Sequence, residues 1–322
     1  MILPSVDQAF AFLKAGRGAE GVLMMSQLAA QGDKAALFSL GYLRFTGDLV
    51  PQDLPAGREF FRRAGEAGHE LGAAYYTNLL ASGQAGPRDW REALKRLRRE
   101  ARRDVRRKAA LHLIEKMKLT ADGDPVRLPA PKRLSQSPDL LLYPGLWSSA
   151  ESDYVVKAAE PSFKPSFVVD LQTGADVRDP IRTSDGSTFH WLIEDPVIHA
   201  LNRRLAAASG TRFEQGEPLQ ILRYLPGQQY RAHLDHIPGK DNQRILTALV
   251  YLNDRFEGGE TRFVRADLQV KGGKGDGIVF RNTLPEGRAD PASEHAGLPV
   301  TRGVKYLASR WICERPLGRI QA

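Results

Sequence analysis

An internal repeat of 36 residues is the feature that most constrains how the first third of this chain can fold. Glycines, small residues and apolar residues recur at this spacing: Gly32 and Gly68, Ala36 and Gly72, Gly47 and Gly83, Leu54 and Trp90, Phe61 and Leu97. Each unit holds two stretches of helical periodicity around a glycine-marked turn, and its small residues fall where two helices must approach closely. Two-helix units of this length bury their apolar faces against neighbouring units. The sequence therefore predicts a helical solenoid over residues 1–120.

The composition and the residue pattern of the chain change after the repeats. Residues 121–138 contain four prolines together with many charged and polar residues, and this composition predicts a linker. Beyond it, short β-rich runs alternate with turn residues: LQILRYL, ILTALVYL, TRFV, GIVF and KYLASRWIC. Many short strands with such turns favour a sandwich, barrel or jelly roll over residues 139–322. One helical stretch, residues 195–210, lies among them and ends on Gly210, a typical C-terminal cap.

The positive charge is concentrated in one segment. The whole chain carries +8, and residues 91–118 hold 12 Lys/Arg against 4 Asp/Glu, which accounts for all of it. This segment could bind nucleic acid, an anionic surface or an acidic protein, or it could be a solvated helix face. We favour the solvated face, because no aromatic residue interleaves the arginines to stack on bases. Nucleic acid is therefore a disfavoured partner.

Cysteine content and hydropathy bear on localisation. Cys313 is the one cysteine in the sequence, so no intrachain disulfide can form. The first residues lack the pattern of a secretory signal, and no apolar run has the length of a membrane span. We expect a soluble, cytoplasmic protein that does not associate with membranes.

The heptapeptide YRAHLDH, residues 230–236, is the strongest chemical signal. On an extended strand, His233 and Asp235 point to the same side and can reach one metal ion. A further histidine, His295, follows about 60 residues later in a Gly/Pro-rich neighbourhood. Two imidazoles and one carboxylate leave three positions open on a metal, which suits the non-haem Fe(II) oxygenases. The alternative is a surface turn with incidental histidines, and His236 fits that description best.

A lysine extends this pattern. Lys305 follows His295 by ten residues, in the segment TRGVKYLASRW. An ammonium group on a neighbouring strand would bind the far carboxylate of a diacid co-substrate held at the metal. Arg302 lies on the same segment and is the alternative anchor.

Two resemblances to known families follow from these segments. The repeats, with LGYLRFTG, the QD turn and FFRRAGEAGH, resemble Sel1-like repeats of the tetratricopeptide superfamily. From about Leu140 to Pro316 the chain resembles the prolyl 4-hydroxylase branch of the 2-oxoglutarate- and Fe(II)-dependent dioxygenases. The segments that carry this second resemblance are RTSDGSTF, ILRYLPGQQYRAHLDH, QRILTALVYLND, EGGETRF, GDGIVF and DPASEHAGLPVTRGVKYLASRWI.

The second resemblance implies a fold, a chemistry and residue roles. The fold class is α+β, a helical repeat solenoid followed by a double-stranded β-helix, or jelly roll. The implied cofactors are Fe(II), 2-oxoglutarate as co-substrate and O2, with ascorbate as a reductant. The implied roles are shared among nine residues: iron ligation by His233, Asp235 and His295; 2-oxoglutarate binding by Lys305, Tyr224 and Thr261; substrate contact by Tyr230, Arg244 and Trp311. Core packing is an equally good interpretation of the two substrate-facing aromatic residues.

We therefore expect a dioxygenase that hydroxylates a protein or peptide, at proline, with the repeats assisting substrate binding. One alternative is the same chemistry on nucleic acid or on another side chain. A lysine anchor for 2-oxoglutarate argues against nucleic acid, since demethylases of this superfamily typically use an arginine. A second alternative is a repeat-based scaffold or sensor with low turnover.

Overall fold

The computed structural model describes residues 5–169, 176–178 and 181–317. Within these residues seven α-helices come first, and sixteen short β-strands with two further α-helices follow. The helices are α1 Val6–Lys14, α2 Gly18–Ala30, α3 Lys34–Thr46, α4 Leu54–Glu66, α5 Glu70–Ser82, α6 Trp90–Glu100, α7 Val105–Ile114, α8 Ser149–Ala159 and α9 Pro196–Ser209. The helix predicted at residues 195–210 is α9, and Gly210 caps it in a left-handed conformation.

The 36-residue repeat appears in the structure as a repeated helix pair. Helices α3 and α5 begin at Lys34 and Glu70, and helices α4 and α6 begin at Leu54 and Trp90, so both intervals are 36 residues. Aspartate side chains cap the N-termini of α3, α4 and α6 by accepting backbone N–H groups. The glycines after α3 and α5 end these helices with positive φ angles of 82° and 76°. The predicted helical solenoid is therefore the observed architecture of this region.

Two glycines explain how closely neighbouring repeat helices pack. A Cβ atom on Gly41 of α3 would lie 2.8 Å from the ring of Phe61 on α4. One on Gly57 of α4 would lie 3.0 Å from the backbone nitrogen of Phe45 on α3. Larger residues at these positions would force the two helices apart.

The β region consists of two main sheets that face each other. The larger has eight strands in the order β1-β2-β13-β9-β16-β7-β6-β3, the smaller has the order β12-β11-β14-β8, and β10-β15 and β4-β5 form two-stranded sheets. The strands are β1 Lys132–Gln136, β2 Asp139–Tyr143, β3 Lys164–Pro165, β4 Phe167–Val169, β5 Asp176–Arg178, β6 Asp185–Phe189, β7 Leu219–Tyr224, β8 Tyr230–His233, β9 Arg244–Tyr251, β10 Phe256–Gly258, β11 Thr261–Phe263, β12 Leu268–Val270, β13 Gly277–Arg281, β14 His295–Gly297, β15 Val300–Gly303 and β16 Lys305–Cys313. All pairings are antiparallel among the described strands. Side chains of both sheets share one buried cluster, as in a jelly roll.

The range predicted as a linker, residues 121–138, is more structured than a linker. Strand β1 lies inside it and pairs with β2 at the edge of the eight-stranded sheet. Upstream, Asp124 forms an ion pair with Arg203 of α9. A Cβ on Gly123 would meet the ring of Trp90 at 2.6 Å, so this turn lies directly against α6. The sequence missed these features because Pro-rich composition does not reveal tertiary contacts.

The repeats and the jelly roll share a hydrophobic core. One buried cluster contains Trp90 and Leu97 of α6, Val197 and Leu201 of α9, and Ile221 of β7. Helix α9 covers the outer face of the large sheet, and α5 and α7 pack against α9. The side-chain amide of Asn78 on α5 also donates a buried hydrogen bond of 2.7 Å to the carbonyl oxygen of Leu192. The repeat region therefore packs, through α9, on the outer face of the large sheet.

Across the described ranges, no helix combines the length and the apolar character that crossing a membrane requires.

Candidate metal centre and active site

Strand pairing brings the three predicted metal ligands together. Strands β8 and β14 are antiparallel neighbours, and their register places His233 directly opposite His295, with ring centroids 4.3 Å apart. Asp235 follows β8 by two residues. Its two carboxylate oxygens lie 3.5 Å from Nε2 of His233 and 3.8 Å from Nε2 of His295. All three potential ligand atoms lie within 4.8 Å of one another, as a single metal ion requires.

Backbone carbonyls fix the orientation of both imidazoles. Nδ1 of His233 lies 2.8 Å from the carbonyl oxygen of Arg231, and Nδ1 of His295 lies 3.0 Å from that of Ser293. A carbonyl oxygen only accepts, so each Nδ1 must carry the proton. Nε2 of each ring is then the lone-pair nitrogen, and both face the carboxylate of Asp235. The ring of Tyr230 stacks on His233 at 3.6 Å and restricts its rotation further.

The protonation states of the ligands suit metal binding. Burial alone raises the pKa of Asp235, but the neighbouring imidazoles of His233 and His295 and a hydrogen bond from the hydroxyl of Thr247 hold it well below its ordinary range. Burial lowers the pKa of His295 to about 4, although the charge of Asp235 opposes this shift. At neutral pH the site therefore offers an ionised carboxylate and a neutral imidazole, the forms that bind metals.

Lys305 lies deep in the same cavity. It opens β16, opposite Tyr224 of β7, and is 1% exposed. Its Nζ donates a hydrogen bond of 2.6 Å to the carbonyl oxygen of Gly259 and lies 5.3 Å and 5.5 Å from the rings of Tyr224 and Tyr251. Burial lowers the pKa of Lys305 to about 7, opposed by the charge of Glu260. A buried ammonium with donor capacity to spare is well suited to bind an anion.

The cavity brings together eight of the nine predicted site residues: His233, Asp235, His295, Lys305, Tyr224, Thr261, Tyr230 and Trp311. Leucines at positions 222, 249 and 307 form its apolar walls. The hydroxyl of Thr261 accepts a hydrogen bond of 2.8 Å from Tyr251. Burial raises the pKa of the Tyr224 hydroxyl well above its ordinary value, so it remains a hydrogen-bond donor. Arg302, the alternative anchor, pairs instead with Glu257 at the surface.

The ninth residue, Arg244, lies beside the cavity. Its guanidinium stacks on the ring of Trp311 at 4.1 Å and makes two hydrogen bonds, of 2.8 Å and 2.6 Å, to the carboxylate of Glu217. Lys240 pairs with the same carboxylate at 2.8 Å. The sequence analysis missed Glu217, because an isolated acidic residue just before a strand carries no sequence signal. Arg244 therefore forms an ion pair and also contacts the cavity residue Trp311, and its contact with the substrate stays a prediction.

Two residues near the ligands take no part in the site. His236 is outside the group of possible metal ligands among the described residues, as expected for a bystander. Glu294, next to His295, forms an ion pair of 3.6 Å with Arg265. Its carboxylate is therefore engaged at the surface.

The fold and this site together define a class, the non-haem iron oxygenases that bind metal through two histidines and one carboxylate. A family model described as the 2OG-Fe(II) oxygenase superfamily matches residues 219–313. Prolyl 4-hydroxylase 1 from Arabidopsis thaliana is 34% identical over 204 residues, covering 58% of this chain and 72% of that protein. The chain belongs to the prolyl 4-hydroxylase family of 2-oxoglutarate- and Fe(II)-dependent oxygenases, whose cofactors are Fe(II), 2-oxoglutarate and O2.

Two solved structures are also similar. The 2-oxoglutarate complex of the viral collagen prolyl hydroxylase from Paramecium Bursaria Chlorella virus-1 has 28% identity and a TM-score of 0.45, covering 54% of this chain and 95% of that one. A Sel1 repeat protein from Oxalobacter formigenes has 27% identity and a TM-score of 0.26, covering 29% of this chain and 38% of that one.

Proposed function

We propose that this protein hydroxylates proline in a protein or peptide substrate, using Fe(II), 2-oxoglutarate and O2. The observation that carries the proposal is a single narrow cavity. It holds the metal-binding triad and the ammonium of Lys305, and Tyr230 and Trp311 complete its lining. Relatives named prolyl 4-hydroxylases support proline as the target.

Different residues of the cavity would bind the metal ion and the co-substrate. His233 and His295 would bind Fe(II) through Nε2, and Asp235 through its carboxylate. Bound Fe(II) and 2-oxoglutarate supply the oxidising chemistry, in which one oxygen atom of O2 enters a C–H bond and the other enters succinate, with release of CO2. Lys305 would bind the far carboxylate of 2-oxoglutarate, assisted by hydroxyl groups of Tyr224 and Thr261.

The leucine side chains of the cavity wall keep bulk water away from the reacting centre. In a low-dielectric cavity the pairing of Lys305 with a carboxylate is stronger than it would be in water. The indole Nε1–H of Trp311 is buried and has no hydrogen-bond partner among the described residues. We assign it, with the stacked guanidinium of Arg244, to contact the substrate backbone. Glu217 would hold Arg244 in place for this contact.

We also propose a role for the repeats and a cellular location. Helical solenoids offer extended concave binding surfaces, and here the repeats would assist in binding the protein substrate. The exposed arginines of α6 and α7 are available for a contact with such a partner, whereas Arg107 is buried in an ion pair with Glu100. A cytoplasmic location and ascorbate as the reductant complete the proposal.

Peptide mapping of cellular proteins tests the proposed target directly. Cells with the wild-type chain, without it, and with the His233→Ala variant would be compared by mass spectrometry. We expect a proline that carries one added oxygen atom only in cells with the wild-type chain. Oxygen added only to other side chains, or no difference among the three samples, would contradict proline hydroxylation.

A further inference from the structure

Two buried polar side chains lie in line behind the carboxylate of Asp235. The hydroxyl of Thr247, on β9, donates a hydrogen bond of 2.5 Å to Oδ2 of Asp235. The side-chain amide of Asn282, which directly follows β13, donates one of 2.9 Å to the hydroxyl oxygen of Thr247. Thr247 and Asn282 both have 0% exposure. Neither belongs to the residues that line the cavity.

The backbone around Asn282 fixes the direction of its side chain in this series of hydrogen bonds. Strands β9 and β13 are paired, and the backbone N–H of Asn282 donates to the carbonyl oxygen of Ile245 at 2.9 Å. The carbonyl oxygen of Asn282 accepts from the backbone N–H of Asp290, also at 2.9 Å. With both backbone groups held, the side chain is directed toward Thr247. The position of Asn282 is therefore set by the sheet.

The order of donors and acceptors determines where the single hydroxyl proton of Thr247 goes. An ionised carboxylate only accepts, so the hydroxyl must donate to Asp235. The NH2 group of Asn282 only donates, so it occupies a lone pair of the hydroxyl oxygen and offers no competing acceptor. An apolar side chain in place of the amide would remove the donor that holds the hydroxyl oxygen of Thr247 in position. Asn282 thus acts on the carboxylate through Thr247.

We propose that Asn282 and Thr247 are positioning residues that hold the carboxylate of Asp235 in its metal-binding orientation. With Oδ2 engaged by Thr247, Oδ1 stays on the side of His233, 3.5 Å from Nε2. The inference rests on the metal site of the proposed function. It does not depend on which substrate is hydroxylated.

Cobalt(II) binding to the full chain tests this inference without any measurement of catalysis. Titrations would follow the absorption of bound Co(II) for the wild type, Thr247→Val, Asn282→Leu, the double variant and the conservative Thr247→Ser. We expect Thr247→Val and Asn282→Leu each to raise the Kd by about 10- to 100-fold, as hydrogen-bond partners of metal ligands typically do. Thr247→Ser keeps the hydroxyl and should bind Co(II) with nearly the wild-type Kd. Since Asn282 acts through Thr247, the double variant should be no weaker than Thr247→Val alone.

A neighbouring residue offers a matched control. Thr283 is also buried and adjoins Asn282, but it lies outside the hydrogen-bonded chain, so Thr283→Val should leave the Kd unchanged. The unfolding temperature of each metal-free variant separates positioning from simple stabilisation. A wild-type Kd in Thr247→Val or Asn282→Leu, even with a lowered unfolding temperature, would overturn the inference. So would additive losses in the double variant. No Co(II) binding by the wild-type chain would overturn the metal site itself.

Discussion

Each face of strand β16 carries a buried cation, and the surroundings of the two cations differ. Lys305, Leu307, Ser309 and Trp311 alternate along one face and line the cavity. Residues 306, 308 and 312 on the other face pack into the core shared with α9 and the repeats. Each face carries one buried cation, Lys305 on the inner face and Arg310 on the outer face, and each is 1% exposed.

The difference between these cations lies in their hydrogen-bond partners. The guanidinium of Arg310 donates to four carbonyl oxygens, at distances of 2.9–3.3 Å, from residues 202, 213, 216 and 217. Among the described residues, the ammonium of Lys305 donates to one carbonyl oxygen, that of Gly259. Burial lowers the pKa of Arg310 to about 10 and that of Lys305 to about 7. Arg310 uses four of its five N–H donors and stabilises the fold, whereas Lys305 has donors to spare and is suited to bind a ligand.

Loss of a metal ligand should have the largest effect on activity. In His233→Ala, Asp235→Ala or His295→Ala, Fe(II)-dependent turnover of 2-oxoglutarate should fall to the level of the metal-free protein, because one third of the protein's coordination is gone. Circular dichroism should show an intact fold. The His236→Ala variant is the matched control and should keep its activity. Wild-type turnover in any of the three ligand variants would contradict the metal site.

Substitution of Arg310 on the outer face of β16 should lower the stability of the fold. Arg310→Ala leaves buried carbonyl oxygens without donors, so the free energy of unfolding should fall by at least about 3 kcal/mol. Arg62, which pairs with glutamates on the surface of α4, is the control, and Arg62→Ala should cost less than about 1 kcal/mol. Chemical denaturation measures both. Equal effects of the two substitutions would contradict a structural role for Arg310.

On the inner face, Lys305→Met should affect ligand binding without loss of stability. A charge-assisted contact contributes about 1.5–3 kcal/mol, so the Kd of 2-oxoglutarate should rise by roughly 10- to 150-fold. The metal-free variant should unfold at the wild-type temperature or above it, because methionine removes the cost of burying a charge. Calorimetric titration and thermal unfolding measure the two effects. An unchanged Kd would exclude Lys305 as the anchor.

The lowered pKa of Lys305 predicts a smaller effect of pH on 2-oxoglutarate binding. Below about pH 7 the ammonium is already charged, so affinity should be constant. Above it, binding must first protonate Lys305, and the Kd should rise by about tenfold per pH unit. For the same reason, the stability of the ligand-free protein should increase as the pH rises from 7, since the unfolded lysine still holds its proton. A Lys305→Arg variant that still binds should lose the pH dependence of the Kd. Constant wild-type affinity between pH 7 and 9 would contradict this account.

The metal centre was more predictable than the junction between the two halves, for a physical reason. The period of a strand places His233 and Asp235 on one side, and the spacing to His295 and Lys305 is characteristic of the family. The junction depends on contacts between distant residues, such as the hydrogen bond from Asn78 to Leu192, 114 positions apart. Nothing in the local sequence of either residue indicates such a contact.

The same reasoning explains the other differences between sequence and structure. Glu217 was missed because its partners, Arg244 and Lys240, reach it only after β7 and β9 enter the same sheet. The strand inside the predicted linker was missed because β1 is short and exposed and has no apolar pattern. The loop of residues 236–243 is held to the same carboxylate, since Lys240 pairs with Glu217.

The coupling of succinate formation to proline oxidation tests the central claim most directly. Purified full-length protein would be incubated with Fe(II), 2-oxoglutarate, O2 and a proline-containing peptide, and succinate and hydroxyproline would be quantified together. The account predicts that the peptide stimulates succinate formation, with one hydroxyproline formed for each peptide-dependent succinate. Succinate formation that the peptide does not change, with no oxygen added to proline, would contradict it.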